Sequence, residues 1–219
     1  MEKLLKSLGV LTVMFLFISC AAFQTKREVL SGNIFSTTNP SLKLKLDEGF
    51  EYKGMFKKDN SGKARSSDKI GFSKKEFHAW YNKKNNKILV ILFNRMVSQG
   101  WYWIPGKEFN KKSVIQIKRE NLSGKNWQTG FWTASVRNWE YNKLFSIGVE
   151  LDGNYFSKVW VRNFGEQMQV RITYFENIDD TDIRRKTPNM VSGGFLREHE
   201  MKFIEEFNKR ADAAITFIK

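Results

Sequence analysis

The sequence predicts an α+β domain: an antiparallel sheet of about six to eight strands, packed by a long C-terminal amphipathic helix and by a short helix near residues 74–84. Three observations lead there. Several segments alternate apolar and polar residues at period two, which marks half-buried strands. One run, Ile88-Leu89-Val90-Ile91-Leu92-Phe93, is apolar on both parities and suits a central strand covered on two sides. The last segment repeats Leu196, Phe203, Phe207, Ala211, Ala214 and Ile218 at helical spacing, with Glu198, Lys202, Glu205, Lys209 and Asp212 around the other side.

The remaining elements follow in order. Leu42, Leu44 and Leu46 alternate with Lys43 and Lys45, giving a first strand. A second is expected from Phe50 to Phe56, after the turn Asp47-Glu48-Gly49, and residues 57–70 are polar enough for a loop. Ser73-Lys74-Lys75-Glu76 has the form of a capping box. Phe77, Trp80 and Tyr81 then fall three and four apart, so the spacing predicts the short helix, ended by Asn85-Asn86. Trp101-Tyr102-Trp103-Ile104 reads as a strand closing in the turn Pro105-Gly106, and Val114–Lys118 and Thr129–Arg137 as two more. Phe145, Ile147, Val149 and Leu151 alternate with polar neighbours, as do Tyr155, Ser157, Val159 and Val161 with Phe156, Lys158, Trp160 and Arg162. A three-residue turn at Asp152-Gly153-Asn154 would pair Ile147 with Val159, with positive φ at Gly153 or Asn154. Met168, Val170, Ile172 and Tyr174 would add a third strand to this meander, and Asn177–Ser192 is expected as loop.

Ahead of the domain stands an export signal. Met1–Lys6 carries two lysines, Leu8–Ile18 is apolar apart from Gly9 and Thr12, and Ser19-Cys20-Ala21-Ala22 is a run of small residues. Phe17-Ile18-Ser19-Cys20 resembles the lipobox of bacterial lipoproteins, with Phe17 where leucine is usual. The resemblance implies removal of residues 1–19 and acylation of Cys20 as the lipid anchor. It also implies an exported chain tied to the cell membrane, at the periplasmic face of the outer membrane in a diderm bacterium, because Ala21 is not the aspartate that retains such proteins inside. An ordinary signal cut after Ala22 is the alternative. Cys20 is the only cysteine, so no disulfide can form within the chain. Residues 20–41, with Gly32, Asn33, Ser36, Thr37, Thr38, Asn39 and Pro40, are expected to be a tether, and residues 42–219 a single domain. The element order also resembles, loosely, the sandwich shared by PsbP and Mog1 proteins, a likeness of order without a diagnostic motif.

The net charge is +14, and the loss of Glu2, Lys3 and Lys6 would leave the mature chain at about +13. Such an excess favours anionic partners. Behind an anchor those are envelope components or acidic proteins, and no nucleic-acid partner is expected. His78 and His199 lack any zinc-type neighbourhood, and Asp179-Asp180-Thr181-Asp182 runs into Arg184-Arg185-Lys186, which repels a cation, so neither a metal nor another cofactor is expected. Ser192-Gly193-Gly194 offers at most a helix-start anion site. No nucleophile elbow or phosphate loop is present. The aromatics stand out: Trp101 and Trp103 flank Tyr102, and Trp160 shares a strand face with Lys158 and Arg162. These five residues, Trp101, Trp103, Lys158, Trp160 and Arg162, are candidate binding residues; the competing expectation is that a helix covers Trp160 as core. The function expected is a non-catalytic envelope binding or assembly lipoprotein, the alternative an envelope hydrolase acting on wall or lipid material.

Overall fold

The computed structural model describes residues 26–30, 33–63, 70–103, 117–135, 142–149, 153–183 and 197–218. The signal segment, Cys20, Pro105-Gly106, Leu151 and Ser192-Gly193-Gly194 lie outside them. The described residues form eleven strands in two antiparallel sheets, one α-helix and one 3-10 turn. The smaller sheet has the order β1 (Arg27–Leu30), β2 (Ile34–Thr38), β3 (Ser41–Leu46) and β11 (Ile215–Ile218). The larger has the order β4 (Glu51–Lys63), β5 (Ile70–Asn82), β6 (Lys87–Met96), β10 (Met168–Asn177), β9 (Asn154–Phe164), β8 (Lys125–Ser135) and β7 (Ile117–Leu122). The architecture is therefore predominantly β, with a single helix, α1 (Glu198–Ala213), rather than the α+β arrangement expected.

The main core lies between the larger sheet and a cover made of the smaller sheet and α1. Phe35, Leu42, Leu44 and Leu46 come from the small sheet, and Ile204, Phe207 and Ala211 from the helix. Trp80, Leu89, Ile91, Phe93, Trp160, Val170, Ile172 and Tyr174 meet them from the large sheet. Period two explains the rest: Phe77, Ala79, Tyr81, Ile88, Val90 and Leu92 point the other way, into a second core closed by Leu144 and Val149. Strand β6 sits between β5 and β10 and is buried on both faces, as its unbroken apolar run predicts.

Several expectations are corrected. Residues 74–84 are not helical; most of them belong to β5. Both faces of β5 are covered, so Phe77, Ala79 and Tyr81 serve one core while Trp80 serves the other, and two apolar parities together imitate helical spacing. Glu76 then forms an ion pair with Arg27 instead of a capping box. The expected loop at 57–70 is instead the continuation of β4 to Lys63 and the start of β5 at Ile70, with residues 64–69 undescribed. Asn142–Ile147 is a 3-10 turn, so Ile147 does not pair with Val159; Val159 pairs with Gly130 on one side and Thr173 on the other. Leu144 and Val149 are spent on capping the second core rather than on a ladder. The hairpin of β9 with β10 does form, with Trp160 opposite Ile172. Gly153 does have φ 90°, and a Cβ there would lie 1.5 Å from an Asp179 carboxylate oxygen, so the position admits only glycine. Trp101–Trp103 is not in a strand. Strands β1 and β2 lie within the stretch expected as tether, because Phe35 is an inward core residue. The helix stops at Ala213, and β-branched and aromatic Ile215-Thr216-Phe217-Ile218 adds to the edge of β3 as a strand.

Candidate functional site

Strand register lines up charged side chains at one end of the large sheet's inner face. Asp59 pairs with Lys74, Lys74 with Arg95, and Arg95 with Met168. One row inward, Lys57 pairs with Glu76, and Glu76 with Phe93. Each row shares a face because directly paired residues point the same way. Arg27, the first residue of β1, crosses from the smaller sheet. Its guanidinium sits 4.0 Å above the Phe93 ring and 2.9 Å from Glu76 Oε1. Together these residues line a groove of about 320 Å3 that also includes the buried Lys75. Four cations, Arg27, Lys57, Lys74 and Arg95, face two carboxylates, Asp59 and Glu76, while the Lys75 side chain, on the other parity of β5, points to the opposite face. One of those carboxylates is already engaged by Arg27, by His78 and, at 3.9 Å, by Lys57. The groove is therefore electropositive.

Behind it runs a hydrogen-bonded chain. Tyr52 Oη lies 3.1 Å from His78 Nδ1, and His78 Nε2 lies 2.8 Å from Glu76 Oε1. Burial alone would raise the Glu76 carboxyl, but the hydrogen bond from His78 and the charge of Arg27 outweigh it and hold it below its ordinary value. Burial, and then the charge of Glu76, push the Tyr52 phenol up. Both nitrogens of His78 are occupied and the ring is packed against Phe35 and Trp80. The chain thus orients Glu76 and Arg27 at the groove floor; it does not present an open general base.

The residues singled out from sequence are dispersed. Lys158 is 0% exposed and lies under α1, with Nζ 2.6 Å from Asp212, 2.8 Å from Asn208 and 3.3 Å from Glu120. Trp160 is core, with the Lys158 ammonium 4.7 Å from its ring centre. The helix covers that face, so these two side chains are interior. Arg162 stands 4.9 Å over the Phe164 ring, and burial lowers its pKa. Trp103 is tied to the β9–β10 turn: its indole N–H donates to the Gln167 carbonyl at 3.2 Å and its backbone N–H to Glu166 at 2.9 Å. Trp101 lies on the bare backbone of Gly71, where a Cβ would meet the ring at 2.4 Å. His199 is exposed in the first turn of α1. Asp179 accepts hydrogen bonds from Asn154 and Asn177. Among the described residues no group of three or more His, Cys, Asp or Glu is placed to hold a metal, and no helix is long and apolar enough to cross a membrane.

Sequence reasoning missed Arg27 and Arg95 as site residues, and counted Lys57, Lys74 and Lys75 only as part of a diffuse charge. The signal was present: Lys74, Glu76, His78 and Trp80 form one parity of β5, but only a strand reading puts them side by side.

A second buried carboxylate, Glu176, locks the helix to β10. The Arg210 guanidinium donates to both of its oxygens, through Nε at 3.0 Å and Nη2 at 2.8 Å, Lys87 lies at 3.2 Å, and the Tyr174 hydroxyl donates as well. Burial opposes ionisation, but the hydrogen bonds from Arg210 and Tyr174 prevail and the Glu176 pKa falls. Burial and then the charge of Glu176 drive the Tyr174 phenol far upward. A carboxylate with a depressed folded pKa stabilises the fold above its ordinary value of 4.5 and loses that contribution as pH falls through the folded value. The urea midpoint is therefore expected to fall as the pH drops below the ordinary carboxylate value of 4.5. Glu176→Gln should be less stable at neutral pH and show a shallower acid dependence over that window. Parallel pH profiles for the two proteins would exclude Glu176 as a source of the acid sensitivity.

Comparison with protein-family models, with curated proteins and with solved structures gives no match for this chain.

Proposed function

We propose that this chain is a membrane-anchored cell-envelope lipoprotein that works as a non-catalytic binding or assembly module for an anionic partner, with Cys20 as the lipid anchor and the Arg27–Lys57–Lys74–Arg95 groove as the anion site. The observation that carries the binding half is the groove itself: four cations and two carboxylates converge there, and Glu76 is already neutralised from within. A guanidinium and several ammonium groups on a rigid sheet suit phosphate or carboxylate oxygens. The anchoring half is supported by the apolar run ending in Ser19-Cys20 and by the absence of any second cysteine.

Two measurements test the two halves separately. Cells fed a labelled fatty acid should label the wild-type protein and not Cys20→Ala; equal labelling would sink the anchor. Titration with inorganic pyrophosphate should show saturable binding that weakens about tenfold or more in Lys57→Glu/Arg95→Glu, since two charge-assisted contacts are reversed. Unchanged binding in that variant would remove the groove from the proposal.

A further inference from the structure

We propose that the groove end of the domain docks on an anionic phospholipid surface, with Phe72, Val97 and Tyr102 at headgroup depth and Lys57, Lys74 and Arg95 against lipid phosphates. This deepens the anchored, anion-binding reading above and rests on it. Three apolar or aromatic side chains stand out of the fold at this end: Phe72 is 53% exposed, Val97 45% and Tyr102 61%. Phe72 and Val97 are neighbours, since the Val97 N–H donates to the Phe72 carbonyl at 2.9 Å and the Phe72 N–H to Ser98 Oγ at 2.7 Å. Strand parity places Phe72 on the face of Lys74, one row farther out, and Val97 directly follows the last residue of β6 beside it. The rim is held rather than loose, because Trp101 seats on Gly71 and Trp103 bonds to the β9–β10 turn on either side of Tyr102.

An apolar and aromatic rim backed by cations is what a membrane interface selects: rings and aliphatic groups enter the headgroup layer while ammonium and guanidinium groups meet phosphate. A soluble anion would use the cations and leave the rim without a role. Chain length adds a second argument. Cys20 precedes Arg27 by seven residues, and even fully extended chain of that length reaches only about 25 Å. Because Arg27 lines the groove, an acyl chain on Cys20 holds this end of the domain within that distance of the lipid.

The test uses the mature chain from residue 20 onward carrying Cys20→Ala, so that neither acylation nor the apolar signal segment contributes, sedimented with vesicles of phosphatidylcholine alone or mixed with phosphatidylglycerol. Binding should rise with phosphatidylglycerol, fall in high salt, and drop about tenfold or more in Lys74→Glu/Arg95→Glu. Since Cys20→Ala leaves no other cysteine, Tyr102→Cys and Lys84→Cys can each carry a single environment-sensitive dye, at opposite ends of β5. The dye at residue 102 should shift to the blue on phosphatidylglycerol vesicles and the one at residue 84 should not. Equal binding to both vesicle types overturns the docking, as does a shift at residue 84 alone. So does saturable pyrophosphate binding without vesicle binding, which would leave the groove as a site for a soluble anion. Failure of Cys20 to acylate would show in the labelling experiment and not here.

Discussion

Phe207→Ala is expected to lower stability by about 3–5 kcal/mol, the range for truncating a fully buried phenylalanine. Phe207 is 0% exposed and joins α1 to the sheet through rings on three elements. Its centroid lies 4.7 Å from Phe156, 5.6 Å from Tyr174 and 6.2 Å from Phe131. Large aromatics cannot close over the vacated volume without leaving their rotamers, so a cavity remains. A domain of this size has only about 5–15 kcal/mol in total, so the loss should be visible as a lower urea midpoint with an unchanged slope. Met201→Ala, on the exposed side of the same helix, should cost less than about 1 kcal/mol. Equal losses in the two variants would mean that α1 is not docked through Phe207.

The second large effect concerns Lys158, a buried ammonium inside the main core. Asp212 and Glu120 supply its negative charge, and Asn208 a neutral acceptor. In Asp212→Asn/Glu120→Gln the cation keeps its place and loses both charges, and an uncompensated buried charge costs about 3–5 kcal/mol. Lys158→Met removes the cation and keeps much of the volume, and the carboxylates left behind are partly exposed, Asp212 at 46% and Glu120 at 25%. It should cost less than the double variant, and adding it to the double variant should restore most of the loss. A urea series on the four proteins closes the cycle. If Lys158→Met is the more damaging change and gives no rescue, the ammonium is not an electrostatic burden held in check by its partners.

How much was legible depends on which kind of neighbour each residue has. The strand Lys87–Met96 declared itself because Ile88–Phe93 is an unbroken apolar run too short for a typical helix, which suits a strand covered on both faces. The alternation from Tyr155 to Arg162 and from Met168 to Tyr174 was equally legible, and that hairpin forms. β5 was not, since two cores claim its two parities and their superposition has helical spacing. Val149 was read as strand because its apolar neighbours alternate; in the structure it closes a core beneath β5 and β6, a partnership far away along the chain. The groove suffered most: Arg27, Lys57, Lys74 and Arg95 come from four strands, and no local pattern connects them.

The sequence by itself determined which segments alternate, where the longest amphipathic helix lies, how much positive charge the chain carries, and that Cys20 has no partner of its own kind. These are properties of neighbours along the chain, set by the two- and near-four-residue periods of the backbone. Only the tertiary structure decided which of two faces meets a cover and which cations stand together. Lys158 and Lys74 show the difference: both are lysines of the large sheet with cationic company in sequence. One lies beneath α1, where Asp212 and Asn208 reach it; the other lies beyond the edge of that cover, beside Arg95. Water is removed from the first and left to the second, so the first must be neutralised by partners within the fold and the second stays at the surface.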